Sequence, residues 1–127
     1  LTKHIKKFAN SSIDISDGLL ADLDKMINSQ KLSYRLNLEK IPISNNLKKI
    51  LNLKNLSKIN LISNGDDYQV LFTASKNKRR IIKKISSHCR IKLTQIGLIQ
   101  NYSKKSSIID DKNKIIRLKK RGYFHQF

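Results

Sequence analysis

Two short acidic motifs hold the residues best equipped for chemistry: Ile13-Asp14-Ile15-Ser16-Asp17-Gly18 and Ser63-Asn64-Gly65-Asp66-Asp67-Tyr68. They contain four of only nine acidic residues, in a chain with 27 lysines and arginines. Carboxylates beside glycines are hard oxygen ligands at points where backbone and ligand can approach closely, which suits Mg²⁺ and the phosphates it bridges. Each motif also has an ordinary explanation. Ser16 or Asp17 could cap a following helix, with the carboxylate facing the positive end of the helix dipole, and Asn64-Gly65 is a strong hairpin turn signal. Neighbouring side chains of extended backbone point to opposite sides, so Asp66 and Asp67 are expected to serve different partners. An EF-hand loop is excluded, because position 12 counted from Asp14 is Lys25 and not a bidentate glutamate. No Gly-x-x-x-x-Gly-Lys phosphate loop occurs. His4, His88, His125 and the single Cys89 have neither zinc-ligand spacing nor a nucleophile–base spacing.

Strands and helices must hold these motifs in place. Leu19, Leu20, Leu23, Met26 and Ile27 recur on one helical face, predicting a helix over 18–30 with Asp22, Asp24 and Lys25 outside the apolar stripe. If 11–15 is a short strand, Ile13 and Ile15 point inward and Asp14 points the other way. The strand-to-helix turn then carries Ser16 and Asp17 to the C-terminal edge of the sheet, where open α/β sheets bind ligands. Alternation predicts a strand over 32–36, and Pro42 leads into a helix over 44–51. Strand-like stretches over 59–62 and 68–73 flank the second motif. A helix is expected over 77–88, a strand over 91–99, and a hairpin pairing 107–110 with 114–118. Residues 1–9 resemble the later part of an amphipathic helix, which predicts that an N-terminal portion precedes this chain. The pattern indicates an α+β fold, with helices layered on a mixed sheet.

Composition narrows the function classes. A chain of 127 residues matches one domain. One cysteine excludes an internal disulfide framework, so a reducing cytoplasm is the expected compartment, and Cys89 is expected to be a buried small hydrophobe. No apolar run approaches the roughly 20 residues of a membrane span, and no membrane partner is expected. The net charge of +18 raises a nucleic-acid-binding module as the alternative from a different class. Against it, the basic residues are mostly lysine and spread along the chain, and no nucleic-acid motif is present. The abundant Lys, Ile and Asn all have A/T-rich codons, a bias that produces the same charge with no specific nucleic-acid partner.

Four segments together resemble the C-terminal half of the thiamine-monophosphate kinase family: Ile13 to Leu23, Ser63 to Thr73, Ile96-Gly97-Leu98-Ile99, and Gly122-Tyr123-Phe124-His125. The resemblance covers nearly the whole chain. It departs from the family pattern at Asn64, at Gln69 and at Gln126. It implies a fold like the C-terminal domain of the aminoimidazole-ribonucleotide synthetase superfamily, an α/β/α layered mixed sheet with partial ferredoxin-like topology. It also implies transfer of the ATP γ-phosphoryl group to thiamine monophosphate with Mg²⁺. By motif position, Asp14 and Asp17 are expected as catalytic Mg²⁺ ligands, Ser16 as an ATP contact, and Asp66 and Tyr123 as substrate contacts. The family's N-terminal half, with further metal ligands, much of the nucleotide site and the usual homodimer contact, is expected to complete the enzyme. A neighbouring superfamily member acting on another phosphorylated small molecule is the same-fold alternative.

Overall fold

The computed structural model describes residues 2–62 and 69–117. A short helix, α1 (Thr2–Ile5), leads into strand β1 (Ala9–Asp14), whose residues alternate between half-buried and exposed. Strand β3 (Val70–Ala74) pairs with it antiparallel, from Ala9 opposite Ala74 to Asp14 opposite Val70, with an irregularity between Ala9 and Ser11. Phe8, at 2% exposure, packs its ring edge-on to Phe72 at a centroid distance of 5.0 Å, closing one end of this ladder. Edge-to-face pairs of this kind add about 0.5–1.5 kcal/mol to simple burial.

The second sheet has strand β2 (Leu32–Asn37) at its centre. Strand β4 (Gly97–Asn101) runs antiparallel on one side and β5 (Ser107–Ile109) parallel on the other. Gly97 permits the close approach of β4. A Cβ at that position would lie 2.5 Å from the Arg35 carbonyl oxygen, nearer than any side-chain carbon tolerates.

Helix α2 (Leu19–Ile27) joins the two sheets, because its stripe of Leu19, Leu20, Leu23, Met26 and Ile27 is wholly buried. That stripe forms one core with Ile15 beyond β1, with Tyr34 and Leu36 of β2 and with Ile108 of β5, while Ile13 and Leu71 pack against it. Each buried leucine or isoleucine there contributes about 1.5–3 kcal/mol. The helix expected over 44–51 is found as α3 (Asn45–Leu53), capped by Ser44, whose hydroxyl accepts a hydrogen bond from the Leu47 N–H at 3.1 Å. Helix α5 (Arg79–Cys89) buries Ile85 and leaves its basic residues exposed.

Several elements differ from expectation. Residues 59–62 belong mostly to a helical turn, α4 (Lys58–Leu61), and not to a strand. Ile59 packs on the core and Ile62 is buried, and residues three apart share a helical face, so this short apolar run satisfies the helical period as well as the strand one. Within 91–99 only the part from Gly97 is strand; Ile91 is 38% exposed and leads into irregular backbone. The expected hairpin shrinks to a turn. Ile109 and Ile115 form one bridge, Asn113 takes φ 62°, and Asp110 Oδ1 accepts from the N–H groups of Lys112 and Lys114. The helix over 1–9 is confined to Thr2–Ile5 among the described residues, and Cys89 is partly exposed. No described helix is long and apolar enough to cross a membrane.

Candidate functional site

Strand β1 ends at Asp14, whose exposed side chain points away from the core. Ile15 turns inward and is 8% exposed. Ser16 and Asp17 then form the outer part of the turn into α2, and Gly18 closes it at φ 110°, ψ 150°. A positive φ of this size is readily available only to glycine. The expectation that Ser16 or Asp17 caps α2 is therefore corrected: Gly18 holds the N-cap position, with no side-chain cap bond. The sharp reversal at Gly18 places the Ser16 and Asp17 N–H groups where a carboxylate inside the helix, rather than a capping side chain before it, meets them.

That carboxylate belongs to Asp22. Its Oδ2 accepts the Ser16 N–H at 2.7 Å and the Asp17 N–H at 2.9 Å. Its Oδ1 accepts from Lys25 Nζ at 3.0 Å, and Lys25 Nζ also bonds Asp17 Oδ2. Asp22 is 1% exposed, so placing it on the open face of α2 was an error of the periodicity reading. Its burial depends on donors supplied by a turn outside the helix, which helical spacing does not report. The available signal was an acid one turn beyond a Ser-Asp-Gly segment, followed three residues later by lysine. Burial alone would raise the Asp22 carboxyl, but hydrogen bonds from the Ser16 N–H, the Lys25 ammonium and the Asp17 N–H outweigh it and hold the carboxyl below its ordinary value. Lys25 is held above its ordinary value by its bonds to Asp17 and then Asp22.

The β1–β3 ladder brings the first motif to the residues that follow the second. Asp14 lies opposite Val70, and the Ile15 N–H donates to the carbonyl of Gln69 at 2.9 Å. Gln69 is the first described residue after the second motif. Asp14, Ser16 and Asp17 thus stand together at one end of the ladder, while Asp66 and Tyr123 lie outside the described residues. No group of three or more His, Cys, Asp or Glu is arranged to enclose a metal ion among the described residues. Mg²⁺ does not require one, since it commonly takes one or two protein carboxylates and fills its shell with water and phosphate oxygens. Asp14 and Asp17 fit that donor set. A cation, the Lys25 ammonium, already rests on Asp17.

No family model matches the chain. Among curated relatives it is 38% identical over 121 residues to thiamine-monophosphate kinase of Buchnera aphidicola subsp. Acyrthosiphon pisum (strain APS), a match spanning 95% of this chain and 37% of that protein. The kinase of Buchnera aphidicola subsp. Schizaphis graminum (strain Sg) is 38% identical over 124 residues, with the same coverage of each. Among solved structures, AaThiL complexed with AMPPCP and TMP superposes with a TM-score of 0.72 and 30% identity, covering 98% of this chain and 36% of that one. The chain therefore spans a little over a third of the length of the relatives it matches. By sequence and by fold, it belongs to the thiamine-monophosphate kinase family, as a match to its C-terminal part.

Proposed function

We propose that this chain is the C-terminal portion of a bacterial, cytoplasmic kinase that transfers the ATP γ-phosphoryl group to thiamine monophosphate, giving thiamine diphosphate and ADP. The observation that carries this reading is the turn from Asp14 to Gly18, built at the end of β1 against the strand that follows the second acidic motif. A solved relative complexed with AMPPCP and TMP supports the substrate pair. An N-terminal portion supplies the remaining metal ligands, much of the nucleotide site and the homodimer contact. The two sheets and their helices then belong to an α/β/α layered domain with partly ferredoxin-like topology.

In this reading Asp14 and Asp17 are the Mg²⁺ ligands, and Ser16, exposed between them, contacts ATP. Asp66 and Tyr123 contact the thiamine substrate, Tyr123 offering an aromatic face to the cationic thiazolium. Mg²⁺ supplies charge neutralisation and alignment of the reacting phosphates. The chain needs no general base, because a phosphate monoester with a second pKa of about 6 is already an anionic nucleophile at neutral pH. Its task is placement. Gly18 fixes the turn, Ile15 anchors it in the core, and Asp22 ties down the two backbone amides that precede the glycine.

The test is a hybrid in which this chain replaces the matching third of the Buchnera aphidicola kinase. With ATP, Mg²⁺ and thiamine monophosphate it is expected to form thiamine diphosphate, followed by chromatography. A folded hybrid that binds both substrates without forming product would contradict the proposal.

A further inference from the structure

The reading of Asp17 as a metal ligand leaves one charged group without a role, the lysine that bridges Asp17 to Asp22, whose carboxylate is buried to 1% exposure. Asp22 is poorly suited to ligate a metal itself. Its Oδ2 is committed to two backbone N–H groups and its Oδ1 to Lys25. Lys25 differs from it in mobility. Its side chain is 52% exposed and that of Asp17 is 36% exposed, so the ammonium can leave Asp17 without opening the core. Asp22 and Lys25 lie three residues apart on α2, where side chains are neighbours whatever Asp17 does.

We propose that Lys25 is a resident counter-cation of Asp17, displaced from it by an arriving divalent ion, and that Asp22 is the positioning residue which keeps the displaced ammonium on the helix while holding the Asp17 backbone in place. The inference rests on the metal-ligand reading of Asp17. Two cations close to one carboxylate repel each other, so the lysine sets a threshold for metal binding at Asp17. Asp22 acts in the opposite sense. It draws Lys25 to itself, and it fixes the N–H groups of Ser16 and Asp17 as an outer-shell partner fixes a ligand.

Opposite signs in two variants test this. Mn²⁺ is titrated by electron paramagnetic resonance into the 127-residue chain, as wild type and as Lys25→Met, Asp22→Asn and Asp17→Asn. Lys25→Met is expected to bind Mn²⁺ about threefold to tenfold more tightly than wild type. Asp22→Asn should bind about tenfold more weakly. Amide exchange at Ser16 and Asp17 should accelerate in Asp22→Asn and stay as wild type in Lys25→Met. A purely structural role for the pair predicts weaker binding in both, and that result, or unchanged affinity in Lys25→Met, overturns the inference. Should wild type bind no Mn²⁺ at millimolar concentration, Lys25→Met must reveal a site, and silence there counts equally against it. Lys25→Met changes an exposed side chain and keeps the test valid if Asp22→Asn fails to fold. Wild-type affinity in Asp17→Asn would instead remove the metal reading on which the inference stands.

Discussion

Asp17→Asn in the hybrid kinase is expected to lower turnover by about 10²–10⁴-fold, the equivalent of about 3–5 kcal/mol of transition-state stabilisation, with little change in melting temperature. The helix does not depend on Asp17 for its cap, because Gly18 occupies the N-cap position and the Asp17 backbone N–H, which asparagine retains, makes the bond to Asp22. What the folded state loses is the exposed ion pair with Lys25, worth about 0–1 kcal/mol. The chemical step loses a charge placed where two phosphates must be neutralised together. Steady-state kinetics beside a thermal melt separate the two effects. A fall in activity matched by a fall in melting temperature would make Asp17 a structural residue, and wild-type turnover would take it out of the metal site.

The larger expected effect is that of the chain by itself. Purified alone it should fold, with thiamine diphosphate formation below detection. A core running from Ile15 through α2 to Tyr34, Leu36 and Ile108 is buried among the described residues, and it is the ground for expecting the chain to fold without a partner. Catalysis does. In the proposed reading the two carboxylates on this turn hold only part of a metal constellation, and fixing both reacting phosphates in line is worth about 7–11 kcal/mol of barrier, which a surface turn open to solvent does not recover. Circular dichroism and a coupled assay for thiamine diphosphate check both halves of this expectation. Measurable turnover by the pure chain would show that no ligands beyond those of this chain are required.

Local patterns in the sequence carried much of the fold. The α2 stripe and the alternation of β2 each repeat over enough residues for the period to be read, and the helices expected over 44–51 and 77–88 are found as α3 and α5. Residues 59–62 were misread because so short an apolar run satisfies both periods, and packing of Ile59 and Ile62 on one face decides for the helix. The parallel pairing of β2 with β5 and the antiparallel pairing of β1 with β3 join residues far apart in the chain, and no local signal encodes them. The site divided in the same way. Asp14, Ser16 and Asp17 were legible as residue types on a glycine turn. Asp22 was not, since its burial follows from the backbone that Gly18 turns toward it, and a wheel drawn on α2 alone puts that aspartate in water.

Metal-specific rescue tests most directly whether the Asp17 carboxylate touches the metal ion. Thiolate is a poor ligand for Mg²⁺ and a good one for Cd²⁺. Asp17→Cys in the hybrid should be inactive with Mg²⁺ and regain activity when Cd²⁺ is added, while the parent hybrid, which already carries Cys89, should show no such gain. Failure of Cd²⁺ to restore a folded Asp17→Cys hybrid, or full activity of that variant with Mg²⁺ alone, would contradict the account.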